Sequence, residues 1–179
     1  MMMIIKNKML VEDDWQVIRL GEQETAENVS IPDGKVIVPL KVWFAQRDGL
    51  KQRNDLGVWF ASDERPEDLK ADVQKFQVIA VDFPKFSDGR GYSIAYNLRA
   101  RLGYTGELRA IGDVLRDQLF YMRRVGFDAF APRPDRDIHD AMRGFEDFSE
   151  VYQTSFEEKL PLFRRVQRKG KPSAETINS

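Results

Sequence analysis

Apolar positions fall along the chain in short clusters with two rhythms. Met3-Ile4-Ile5 and Met9-Leu10-Val11 flank Lys6-Asn7-Lys8, which predicts a β-hairpin turning at Asn7. Trp15, Val17, Ile18 and Leu20 mark a third extended segment, and the polar residues 21–34, with Asn28, Pro32, Asp33 and Gly34, read as a loop. Strand-like and helix-like stretches then alternate. Val36 to Leu40 is a β-branched run, and Leu40, Trp43 and Phe44 follow at helical spacing. Leu56 to Phe60 is a strand, and Pro66 opens a helix carrying Leu69, Val73 and Phe76. The apolar strand Val78 to Phe83 leads through a charged loop to a helix beginning near Tyr92, with Ile94, Ala95, Leu98 and Leu102, that ends at Gly103. Leu108 to Ile111 is the next strand, and Asp113 is placed to cap a helix whose Leu115, Leu119 and Met122 share a face. Phe127 to Ala131 is the last strand. Ile138, Ala141, Met142, Phe145, Phe148 and Tyr152 line a long final helix.

Strands alternating with helices predict an α/β fold of about five parallel βα units, preceded by the N-terminal β-hairpin region, residues 1–20. Five units fall short of a closed eight-fold barrel. Two geometries remain, an open doubly wound sheet or a half-barrel-like sheet able to pair with a second copy as a homodimer. In both, the loops after the strands share one edge, so residues 84–91, 112–113 and 132–137 should meet in space. The expected domain is 1–153. Residues 154–179 hold the basic groups Arg164, Arg165, Arg168, Lys169 and Lys171 before a Ser/Thr/Asn-rich end, and are expected to be a disordered tail.

Composition narrows the chemistry. The 179 residues carry a formal net charge of −1 and no cysteine. Near-neutral charge argues against a general nucleic-acid binder. Without cysteine the chain offers no disulfide, thiolate nucleophile, or cysteine-held metal or iron–sulfur cluster. His139 is the only histidine, so a His-rich metal site is excluded. No signal-peptide core and no membrane-length apolar run is visible, which makes the cytoplasm the expected compartment.

A charged, glycine-containing loop, Pro84-Lys85-Phe86-Ser87-Asp88-Gly89-Arg90-Gly91-Tyr92, lies between a strand and a helix. Gly89 and Gly91 sit in a G-x-G-x-x-x-A spacing that admits a nucleotide or flavin cofactor against the helix N-terminus. Five residues separate these glycines from the strand end, unlike the usual fingerprint, and Asp113 fits the ribose-binding acid only loosely. The broader reading is an anion site in which Lys85, Arg90, Arg109 and Arg116 converge near helix N-termini. Asp82, Asp88 and Asp113 are the candidate proton-moving groups. The alternative is that Asp82, Asp88, Asp113 and Asp117 pair with these bases and hold the loops closed. His139, Tyr92, Tyr96, Tyr121 and the three tryptophans read more simply as surface, rim or core residues.

Four blocks, residues 81–93, 106–119, 122–130 and 145–149, resemble a family of uncharacterised bacterial proteins labelled as oxidoreductases of sulfite reduction. The likeness runs in order from Met3 to Tyr152, and the first two blocks are specific. It implies a place in assimilatory sulfite reduction. A sulfite reductase passes electrons through siroheme and an iron–sulfur cluster, for which this chain has no thiol ligand. The resemblance therefore implies a protein other than the reductase catalyst, of which one class is an accessory protein, docking on sulfite reductase or sulfonucleotide reductase components or holding a small anion. The other class is an enzyme with a bound NADPH or flavin at Gly89–Gly91.

Overall fold

The computed structural model describes residues 2–145. β1 (Met2–Lys6) and β2 (Met9–Asp13) form the expected hairpin. Asn7 and Lys8 take φ of 51° and 63° at its turn, the mirror-image geometry that matches strand twist. Six strands follow: β3 (Gln16–Val17), β4 (Val36–Pro39), β5 (Leu56–Phe60), β6 (Val78–Phe83), β7 (Glu107–Gly112) and β8 (Ala129–Pro132). All eight make one sheet, ordered β2-β1-β8-β7-β6-β5-β4-β3.

From β3 to β8 every neighbouring pair is parallel and spatial order follows chain order. The winding never reverses, so right-handed crossovers stack the helices on one face. The result is the curled half-barrel of the two expected geometries, not the doubly wound sheet. The chain itself shows how strongly the sheet curls. β2 and β3 lie at opposite ends of the strand order, yet only Asp14 and Trp15 separate them. Three peptide steps of about 3.8 Å each hold the two edges within ~11 Å. Because β1 is antiparallel to both β2 and β8, β2 and β3 run in the same sense, as one bent strand serving both edges.

Strand alternation sorts the side chains into two cores. The outer face buries Val36, Val38, Val58, Phe60, Ile79, Val81, Phe83, Leu108, Ala110 and Phe130 against the helices. Those helices are α1 (Leu40–Ala45), α2 (Arg47–Leu50), α3 (Arg90–Ala100), α4 (Arg116–Val125) and α5 (Ile138–Arg143). Each large aliphatic side chain on this face stabilises the fold by ~1.5–3 kcal/mol. The inner face holds a smaller cluster of Ile37, Val78, Ala80 and Ile111, with Trp15, Val17, Trp59 and Ala131 packed against it.

Three elements differ from the sequence reading. The segment after Pro66 is two 3₁₀ turns, Pro66–Leu69 and Val73–Lys75, in place of one α-helix. Its apolar pairs, Pro66/Leu69 and Val73/Phe76, lie three apart, and a 3₁₀ turn stacks such pairs on one side. α4 begins at Arg116 with Leu115 at the cap position, so Asp113 stands ahead of the helix and is free to reach another loop. A sixth parallel strand, β3, arises from the segment read only as extended. Of the expected final helix, Ile138–Arg143 is helical; Phe148, Tyr152 and the basic tail lie outside the described residues. No helix among the described residues is long and apolar enough to cross a membrane.

Candidate functional site

The three βα loops meet as expected, and Asp113 is where they meet. Its backbone N–H donates to the Phe83 carbonyl at 2.7 Å, which brings the β7 loop beside the end of β6. Its Oδ2 accepts from the Phe86 N–H at 3.0 Å, and Gln118 on α4 donates its side-chain amide to the Phe86 carbonyl. Arg133 and Arg136, from the loop after β8, stand 3.8 Å and 3.6 Å from Asp113 Oδ1. That oxygen is buried and has no hydrogen bond, so its two guanidinium neighbours act on it as charges at a distance. Arg133 is also held by two hydrogen bonds to Asp135, whose carboxyl that guanidinium keeps below its ordinary range.

Gly112 makes this corner possible. Its φ is +89°, and a β-carbon there would sit 2.4 Å from the Phe83 carbonyl oxygen and 2.7 Å from Asp82 Oδ1. Only glycine allows the turn and leaves room for Asp82. Asp82, next to last in β6, points to the inner face and accepts from Arg19 Nη2 at 2.8 Å. The Arg19 guanidinium lies over the Trp59 ring, 5.0 Å from its centroid, and Trp59 Nε1 donates to the Ile18 carbonyl at 2.9 Å. A second polar group, Arg19–Asp82–Trp59, thus occupies the mouth of the curl beside Asp113.

The other expected site residues fall elsewhere. Arg90 is closed onto Asp88, donating Nε and Nη2 to its two oxygens at 3.0 Å and 2.8 Å. The Arg90 N–H adds a third bond to the same carboxylate, at 3.1 Å. The Arg90 side chain and backbone, with Ser62 contributing, hold Asp88 well below the usual carboxylate range. Asp88 therefore sits where an anion would sit at the N-terminus of α3. Gly91 serves packing, because a β-carbon there would lie 2.5 Å from the Phe83 ring. Gly89 has open space around it. Arg116 pairs with Asp140 on α5 at 3.1 Å, beside a cleft of about 280 Å³ lined in part by Arg136 and Asp137. Lys85 is exposed in the loop before α3.

Arg109 is not at this edge. It lies lower on β7, facing inward and 1% exposed. There it donates to Asp13 at 3.0 Å and Glu107 at 2.7 Å, and Lys6 completes the group on Glu107 at 2.9 Å. The anion-site set is thus divided: Lys85 and Arg90 on the α3 loop, Arg116 against α5, and Arg109 at the opposite end of the sheet.

Sequence reasoning did not single out Arg19, Arg133 or Arg136. The last two lay in a loop correctly placed at the edge, where Asp113 gave the signal. For Arg19 no local signal exists, since it follows an uncertain strand. His139 is exposed, with its backbone N–H on Asp137. Tyr92 packs edge-on against Phe83, and burial raises its phenol. No group of His, Asp and Glu suited to a metal ion occurs among the described residues.

No curated protein matches the chain, and neither does any solved structure. A family model described as "bacterial protein of unknown function", DUF934, matches residues 57–163, which include Asp82, Asp113, Arg133 and Arg136, and the chain belongs to that family.

Proposed function

We propose that the protein is an accessory protein of assimilatory sulfite reduction that holds a small anion over the C-terminal ends of its parallel strands. The reading is supported by Arg133 and Arg136, gathered by Asp113 at 3.8 Å and 3.6 Å yet each about half exposed. Contacts of that length leave Arg136, and the Arg133 Nη1 that Asp135 does not engage, able to meet an incoming oxyanion. Lys85 adds a nearby charge on the loop that Asp113 ties down through Phe86. The likeness of residues 81–93 and 106–119 to proteins labelled as oxidoreductases of sulfite reduction supports the pathway, and the absence of cysteine in this chain supports an accessory role over that of the siroheme catalyst.

The nucleotide alternative, an oxidoreductase with NADPH or flavin at Gly89–Gly91, has less support. At that turn Asp88 already accepts from the Arg90 N–H and closes on its guanidinium, and the space beside Gly91 is filled by Phe83.

Thermal unfolding against sulfite, sulfate, adenosine phosphosulfate, NADPH, FAD and FMN tests both readings, since a ligand of the native state raises the midpoint by mass action. The expected result is a rise with sulfite, or with another of the small anions, that is lost in the Arg133→Met/Arg136→Met double variant. A rise with NADPH or a flavin alone would put the enzyme reading first. Retention of sulfite reductase subunits on the immobilised protein checks the docking half, and a clean flow-through would count against it.

A further inference from the structure

Arg19 has the form of a binding arginine. A guanidinium carries five N–H donors; Arg19 spends one on Asp82 and makes no other hydrogen bond among the described residues. It is nevertheless held in place by that 2.8 Å pair and by stacking over Trp59, whose own indole N–H is fixed on the Ile18 carbonyl. Half of the Arg19 side chain is exposed. A planar cation that is fixed on one side and open on the other is arranged for oxyanion recognition, because little entropy remains to be lost on binding.

Asp82 adds a second property. Only its Oδ1 is taken, by Arg19, and the side chain keeps 13% exposure at the mouth of the curl. An ionised carboxylate accepts hydrogen bonds and donates none. An anion seated on Arg19 would therefore meet an acceptor beside its donors. An oxyanion that still carries a proton satisfies both groups, whereas a fully deprotonated one turns a lone pair toward the Asp82 charge. Leaving such a group unpaired, or facing a like charge, is what separates near-isosteric ligands most sharply.

We propose that Arg19 and Asp82 form a selective subsite for a protonated oxyanion, such as hydrogen phosphate or hydrogen sulfite, and reject sulfate. Arg19 donates to the charged oxygens, and Asp82 Oδ2 accepts from the O–H. The proposal rests on the anion-binding reading above and names the ligand class and the residues that select it.

Isothermal titration with phosphate, sulfite and sulfate near neutral pH and at constant ionic strength tests it. The wild type should bind phosphate and sulfite at least tenfold more tightly than sulfate. Arg19→Met should weaken the preferred anions by roughly tenfold to a hundredfold, the scale of lost charge-assisted hydrogen bonds. Arg19→Lys, which keeps the charge and is the less disruptive change, should lose most of that affinity with the fold intact by circular dichroism. Asp82→Asn presents an amide donor, so it should bind sulfate more tightly than the wild type and erase the selectivity. Equal wild-type affinity for phosphate and sulfate, or no gain for sulfate in Asp82→Asn, overturns the subsite. Selective binding that survives in both Arg19 variants but is lost in the Arg133/Arg136 double variant also overturns it, while leaving the anion-holding role standing. Failure of the wild type to bind any of the three removes both.

Discussion

Arg109 and Arg19 both face the inner side of the curled sheet and both pair with carboxylates, but at opposite ends of the strands. Arg109 is 1% exposed and is taken up by Asp13 and Glu107, with Lys6 balancing the second acid. Arg19 is half exposed and has Asp82 alone. The lower group joins β7 to β1 and β2 across the inner face. The upper group joins β5 and β6 to the segment leaving β3, with one ion pair. Charges that bind structural elements together are saturated with partners, whereas those at the strand C-termini keep donors to spare. This is the division of labour between the two ends of parallel βα architectures.

Removing one charge from each end should separate the roles. Arg109→Met leaves Asp13 and Glu107 buried with one cation between them, and should cost ~3–5 kcal/mol in urea unfolding. Arg19→Met removes a half-exposed guanidinium but leaves Asp82, 13% exposed, without its partner, and should cost ~1–2 kcal/mol, less than Arg109→Met. Equal losses would erase the distinction between the ends. Gly112→Ala should fall between them, at ~2 kcal/mol, because it forces a side chain into positive φ and against the Phe83 carbonyl. It should also displace Asp82 and so weaken anion binding, whereas a stable Gly112→Ala protein with full binding would show that the corner is not tightly built.

The smallest effect concerns pH. Asp128, at the lower end of β8, accepts from the Leu108 N–H at 2.8 Å and lies 3.4 Å from Arg99. Burial raises its carboxyl above the ordinary value of 3.8. The folded protein therefore holds this proton more tightly than the unfolded chain does, and the stability it contributes below pH 3.8 is lost as pH rises through the folded value. Asp88 works in the opposite sense: its contribution is present above 3.8 and lost as pH falls through its depressed folded value. Asp128→Asn should flatten the first part of the stability profile above pH 4 and leave the acid limb unchanged. An unaltered profile in Asp128→Asn would remove Asp128 as its source.

Most of the fold was legible because its signals are local. Asn7 marked the hairpin, and runs such as Val78–Phe83 marked strands too apolar to lie anywhere but between two covered faces. The meeting of the loops at 84–91, 112–113 and 132–137 followed from parallel strands alone. Its details did not. Glu107 and Arg109 stand two apart in a strand and so share a face, and Arg109 lies well short of the C-terminal end of β7 at Gly112, which separates it from the loops; reading it as part of a basic cluster overlooked that position. Asp113 was assigned to its own helix because an Asp ahead of an apolar period is the usual cap, and the competing Phe86 N–H is 27 residues away. Arg19 and Asp82 are 63 apart, and no periodicity in either segment links them. Pairings of that kind become visible only once the strand order is known.

The bent segment that serves as both edges of the sheet has a further consequence for biosynthesis. β1 can make its hairpin with β2 as soon as both are synthesised, but its other side is completed only by β8, where Ile5 meets Phe130. Among the described strands, the first made must wait for the last. During translation the hairpin presents an open flank, and the joining of β1 to β8 is a late, long-range event whose loop entropy makes it slow. A chain halted before Ala129 would carry β1 with that flank unpaired, the kind of exposed strand that invites association with other nascent chains.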